Sequence, residues 1–241
     1  MTFGAPVRRA SLTFCFALAV GGSSGTGPLY DGFAAYSRGD YAVALRALLP
    51  LTEQGNPAAQ FIIGYMHASG LGVPRDDAAA ANWFREAAER RHAEAQFNLG
   101  VMYGHGRGVP RDDVEAAAWY RRAAEQGLAA AQSSLGTAYR TGRGVARNYA
   151  EAADWHLKAA EQGVAVAQHT LAMVYFEGKG RPRDISAGLK WCRQAAEQTS
   201  WRREGNRDPT FSRRITLHFS CIRATSEDHS RRRQSCANSA T

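Results

Sequence analysis

Side chains able to do chemistry are few in this 241-residue chain, and their spacing argues against most of the chemistry they suggest. Asp76-Asp77 and Asp112-Asp113 are paired carboxylates, the arrangement that general acid–base work or a divalent cation would use. Glycine pairs at Gly70/Gly72, Gly106/Gly108, Gly142/Gly144 and Gly178/Gly180 resemble the start of a phosphate cradle. However, these G-x-G turns lack the third glycine and the strand–turn–helix setting of a dinucleotide site. Both carboxylate pairs stand where helices begin, so capping and the helix dipole account for them. The seven histidines occupy different places relative to the chain's periodicity, and no C-x-x-C, zinc-helix or nucleophile motif occurs. No catalytic residue, metal ligand or cofactor is assigned, and the chain reads as a non-enzyme.

Charge adds little to that reading once it is placed. The formal net charge is +8, but residues 1–30 contribute +2 and residues 199–241 contribute +5, which leaves residues 31–198 at +1. Such a body offers no net attraction for nucleic acid. A composition of 44% hydrophobic and 22% charged residues excludes global disorder and a polytopic membrane protein. Residues 1–22 have the layout of a secretory signal peptide: Arg8-Arg9, a short apolar run, then Ala17-Leu18-Ala19. That run is too short to span a bilayer as a helix, so the mature form is expected without an integral membrane segment. The expected location is periplasmic or secreted, and cytoplasmic if the leader does not function. Cys15 would leave with the leader, and Cys192, Cys221 and Cys236 show no regular spacing. Cys192 reads as buried or incidental, and the two later cysteines as unpaired.

The elements that position these residues come from internal repetition. Four gapless blocks of 36 residues start at Ala59-Gln60, Ala95-Gln96, Ala131-Gln132 and Ala167-Gln168. Gly64, Gly100, Gly136 and Ala172 share one block position; His67, Tyr103, Tyr139 and Tyr175 share another; Trp83, Trp119, Trp155 and Trp191 a third. Within a block, Gln96, Leu99, Gly100 and Tyr103 fall on one helical face. Gly106 and Gly108 end that helix, Pro110 keeps the connection extended, and Asp112 with Glu115 starts a second helix as a capping box. Asn148 with Glu151 repeats the device, whereas Ala79 and Ala187 stand at that place in the outer blocks and predict weaker caps. Small residues at the Gly64, Gly100 and Gly136 position allow close helix approach. The tyrosines and tryptophans read as core that fills the wedge between helices, not as an aromatic ligand box. Residues 31–58 form a further hairpin at the N-terminal end, with a shorter turn near Gly39-Asp40.

These landmarks resemble the Sel1-like repeat family, a branch of the tetratricopeptide-like α-solenoids. The motif A-x-A-Q-x-x-L-G-x-x-Y-x-x-G-x-G-V is nearly complete from Ala93, and its A-A-E-Q-G ending stands at Ala123–Gly127. The implied fold class is all-α: a solenoid of about five stacked antiparallel helix hairpins over residues 31–198, with blocks 59–94, 95–130, 131–166 and 167–198. The resemblance implies an adaptor or scaffold that binds a protein or peptide, possible settings being signalling, assembly, cell-envelope regulation and protein quality control. Cysteine-rich relatives linked to β-lactam binding carry a disulfide in each repeat; this chain lacks those cysteines, so that activity is not transferred.

Recognition in a solenoid is expected on the concave face, where equivalent positions differ between blocks. That criterion selects Phe61, Tyr65, Phe97, Asn98, Val101, Ser133, Thr137, Arg140, His169, Met173 and Glu177, apolar toward the N-terminal half and polar toward the C-terminal half. An extended peptide or a partner helix would suit such a groove. The alternatives are an envelope-associated enzyme or small-molecule binder, which needs convergent polar groups that the sequence does not reveal, and nucleic-acid or anion binding through the C-terminal segment. Residues 199–241 break the repeat after Gln198 and hold nine arginines and no lysine. They read as a basic, disordered arm; a shifted reading frame would produce the same break in register.

Overall fold

Glycines at most of the places where the chain reverses, and an aspartate or asparagine before each second helix, cut this sequence into short helices of nearly equal length. The structure, a computed structural model, describes residues 27–201. The expected leader, residues 1–22, and the segment after Trp201, with Cys15, Cys221 and Cys236, lie outside the described residues. Among the described residues there are ten α-helices and no strand. They are α1 Pro28–Arg38, α2 Tyr41–Glu53, α3 Pro57–Ser69, α4 Asp77–Glu89, α5 Ala93–His105, α6 Asp113–Glu125, α7 Ala129–Thr141, α8 Tyr149–Glu161, α9 Ala165–Glu177 and α10 Ile185–Trp201. The all-α, repeated-hairpin class expected from the sequence is the class observed. The helices group into two compact units, one ending at Arg111 and one starting at Asp112. In each unit every helix packs on its neighbours in chain order.

Helix starts follow the caps. Asp76 accepts from the backbone N–H groups of Ala78 and Ala79, both at 2.9 Å, and Asp112 from Val114 and Glu115 at 2.8 and 3.0 Å. Asn148 does the same for Ala150 and Glu151. Asp76, with Ala79 in place of the glutamate, holds two amides as closely as Asp112 does, and Asp184, with Ala187 in that place, accepts from the Ala187 N–H at 3.0 Å. Helix α10 is the longest and runs through Thr199, which stands where Gly127 and Gly163 follow α6 and α8.

Packing between successive hairpins rests on two contacts that recur in both units. At one end of each second helix, a buried glutamine of the next first helix donates to a C-terminal carbonyl. Gln96 Nε2 bonds the Ala88 carbonyl at 2.9 Å, Gln132 the Ala124 carbonyl at 3.3 Å and Gln168 the Ala160 carbonyl at 3.1 Å. At the other end, the second glycine of each G-x-G turn lies against the first residue of that same second helix. A Cβ on Gly108 would overlap the Asp77 carbonyl, and one on Gly144 the Asp113 carbonyl. The first glycine ends the helix in the left-handed conformation, as the sequence implies, but the second is needed for this approach between repeats. Gly180 on the Tyr149 carbonyl repeats the geometry, whereas Gly72 meets the Cβ of Tyr41. Beside Gly108, Arg107 pairs with Asp77 at 2.7 Å.

Between these ends the core is shallow and made of small residues. Ala80, Ala81, Ala87 and Ala88 on α4, and Ala152, Ala153, Ala159 and Ala160 on α8, are fully or almost fully buried, as are Leu99, Leu135 and Leu171 on first helices. Trp119 is buried, whereas Trp83, Trp155 and Trp191 and the tyrosines Tyr103, Tyr139 and Tyr175 are half-buried. In three of the four repeats the deeper position is the residue after the tryptophan, held by Phe84, His156 and Cys192; in the other, Trp119 is buried and Tyr120 half-buried. Gly64 and Gly136 are buried because a Cβ there would press on the rings of Phe84 and His156. Where that ring is replaced by the smaller Cys192, the facing position can be Ala172.

Gly144→Ala is expected to cost more than about 3 kcal/mol, since it combines a left-handed backbone with backbone overlap. Arg91 has φ 63° where Gly55, Gly127 and Gly163 stand in the other repeats, so Arg91→Gly is expected to gain about 1 kcal/mol. Urea unfolding of both variants against the parent measures these opposite shifts.

Candidate functional site

Each side chain selected for recognition stands on a first helix, α3 and α5 in the first unit and α7 and α9 in the second. On α3, Phe61 is only 6% exposed. Its ring stacks on His92 with centroids 4.8 Å apart and lies 5.8 Å from Phe84, so it is core and not a recognition surface. Tyr65 is half-buried and meets Tyr36 edge-on at 6.4 Å. Tyr36 in turn contacts Tyr41, which makes an aromatic strip along the first unit. Phe97, Asn98 and Val101 are half-buried on α5, and Asn98 Nδ2 donates to the Glu94 carbonyl at 2.7 Å.

In the second unit, Thr137 and Arg140 are exposed on α7 and Ser133 is half-buried. Thr137 Oγ1 donates to the Ser133 carbonyl, Thr141 to that of Thr137 and Thr170 to that of Val166, each four residues back. These hydroxyls satisfy their own helix and leave methyl groups and carbonyl lone pairs to the outside. On α9, His169 and Met173 are half-buried, and exposed Glu177 pairs with Lys179 at 2.9 Å. The first unit thus presents aromatic and aliphatic groups and the second hydroxyls and charges. Among the described residues no group of three or more His, Cys, Asp or Glu side chains could hold a metal, and no helix is long and apolar enough to cross a membrane.

Sequence reasoning missed the chemistry buried beneath this surface. His156 is fully buried on α8, and neither ring nitrogen has a hydrogen-bond partner among the described residues. Burial, and then the nearby Arg140 guanidinium, pull its pKa down to about 4. At the equivalent position Tyr120 is pushed up to about 12 by burial and by Asp113. The available signal was the run of Phe84, Tyr120, His156 and Cys192, one residue after each tryptophan. On the outer side, Arg122 lies over Trp119 at 4.3 Å and Lys158 over Trp155 at 4.0 Å. Trp119 and Trp155 are thereby each roofed by a cation of their own helix.

Comparison with known proteins matches residues 57–92, 93–128, 129–164 and 165–200 to the Sel1 repeat. These units have the same length as the blocks delimited on Ala-Gln and start two residues earlier. A Sel1 repeat protein from Oxalobacter formigenes is 38% identical over 69% of this chain and 69% of its own, with a TM-score of 0.66. A protective antigen of uropathogenic Escherichia coli, c5321, displaying an SLR fold, is 34% identical over 80% of this chain, with a TM-score of 0.68. The alignment spans only 41% of that antigen's length. No curated protein matches.

The His156 geometry has a direct consequence for stability. Its folded pKa lies below the unfolded value near 6.5, so the unfolded chain takes the proton first. Stability is therefore complete above about pH 7 and falls between about pH 6.5 and 4, by roughly 3 kcal/mol in total. His156→Phe, which reproduces the Gly64–Phe84 pair, is expected to fold and to flatten that acid limb. Denaturant midpoints at pH 7.5 and 5 measure it; an unchanged pH slope would count against the assignment.

Proposed function

Because the chain belongs to the Sel1 repeat family, whose members are generally non-catalytic protein-interaction scaffolds, we propose that it binds a protein or peptide through the faces of its first helices. The observation that carries this reading is the division of labour along each first helix. Glutamine, leucine and glycine recur where the helix grips its neighbour, whereas the half-buried and exposed positions change from repeat to repeat. In the first unit Tyr65, Phe97 and Val101 suit an apolar side of the partner; in the second Thr137, Arg140 and Met173 suit a polar one. Glu177 and His169 extend the second surface.

A disulfide at Cys192 and the signal-like residues 1–22 support action in an oxidising compartment, periplasmic or extracellular. A scaffold role in envelope signalling or assembly is consistent with that location.

Capture from envelope extracts tests the surface. Partners retained by the parent should be lost by at least about tenfold in Tyr65→Ala/Phe97→Ala and in Thr137→Ala/Arg140→Glu, with melting temperatures unchanged. Equal retention by both variants would overturn the first-helix assignment. Binding that instead falls steeply with added salt and follows nucleic acid would point to the arginine-rich segment.

A further inference from the structure

The residue three places after each repeat tryptophan shares a helical face with its indole. It is Glu86 after Trp83, Arg122 after Trp119, Lys158 after Trp155 and Gln194 after Trp191. In the first unit, Glu86 accepts from Gln60 Nε2 at 2.8 Å. In the second unit, the Arg122 guanidinium lies 4.3 Å from the Trp119 ring centre and the Lys158 ammonium 4.0 Å from that of Trp155. Trp191 has no cation over it among the described residues, and neutral Gln194 holds the place.

That place is open. A cleft of about 310 Å³ is lined by Trp191, Gln194 and Glu197 of α10 and by Glu161 at the C-terminal end of α8. Gln168 and Gln198, which also line it, are tied together: buried Gln168 donates to the Ala160 carbonyl at 3.1 Å and accepts from Gln198 Nε2 at 3.3 Å. Beside Trp191, Cys192 is 5% exposed and disulfide-bonded, which corrects the reading of an incidental thiol. The surroundings repeat those of Lys158. Thirty-six residues earlier, Glu125, Trp155 and Glu161 stand where the cleft has Glu161, Trp191 and Glu197. Glu161 is exposed and forms no ion pair among the described residues. No basic side chain lines the cleft, so an anionic group would find nothing there to pair with. An indole face beside a carboxylate favours a cation, and a long basic side chain can lay its methylenes on the ring with its head toward the acid.

We propose that this cleft binds a lysine side chain of a protein partner, its ammonium on the Trp191 indole and toward Glu161, in the place that Lys158 fills one repeat earlier. The chain supplies the cation itself at Trp119 and Trp155, and the partner supplies it at Trp191. The site uses none of the variable first-helix positions, so it stands or falls independently of them.

NMR titration of the isotope-labelled full chain with the peptide tetralysine tests the site, the Trp191 indole N–H being assigned by its loss in Trp191→Phe. That signal should shift saturably with tetralysine and stay in place with tetraglutamine. Gln194→Lys, which reproduces Lys158 on Trp155, should weaken the Kd read at Trp191 by at least about tenfold, whereas Ser186→Lys, the same added charge about 12 Å away along α10, should change it by less than about twofold. A Trp191 signal that tetralysine does not move, a Kd unaltered by Gln194→Lys, or one weakened equally by Ser186→Lys would overturn the proposal. If Gln194→Lys does not fold, Glu161→Gln takes its place, with an expected loss of about threefold, and an unchanged Kd there overturns the proposal as well.

Discussion

Among the described residues, each of the second helices α2, α4, α6 and α8 is held at both ends by the repeat that follows. At its C-terminus a buried glutamine amide satisfies a carbonyl that would otherwise be orphaned in the interior, as in Gln132 with Ala124. At its N-terminus a glycine without a Cβ lets the next turn lie on the first backbone carbonyl, as in Gly144 with Asp113. A shallow core of alanines cannot fix the angle between hairpins by shape alone, because small side chains offer few interdigitating contacts. Directional hydrogen bonds and one close backbone approach set that geometry instead. The amide chain extends further: Gln162 donates to the Gln132 Oε1 at 2.8 Å, and Gln198 to the Gln168 Oε1 at 3.3 Å.

This arrangement determines what is left for function. Residues that grip a neighbour cannot vary, and neither can the alanines beneath them. The remaining first-helix positions are free to take any side chain that partly faces outward, which is how a repeat protein changes its partner without changing its fold. Tyr65 and Arg140 are products of that freedom.

Much of the fold was legible because it recurs: the 36-residue period, the paired helices, the glycine stops and the aspartate caps are all visible in one block and repeated in the next. The reason for the second glycine was not, since its contact lies thirty-one residues upstream, from Gly108 to Asp77 and from Gly144 to Asp113. Phe61 was misjudged for a different cause. An aromatic at a variable position reads as surface, but His92, where later repeats have Leu128 and Val164, stacks on it and closes it in. The state of Cys192 was hidden because a bond between distant cysteines leaves no trace in local spacing.

The dependence of the stack on its glutamine joints is tested most directly by the unfolding free energy of Gln132→Leu, which keeps the side chain's bulk and removes both of its hydrogen bonds. If the joints hold successive hairpins together, the loss of the Ala124 and Gln162 contacts lowers stability by about 1–3 kcal/mol. An unchanged or higher stability would show that packing of the alanine core suffices without them.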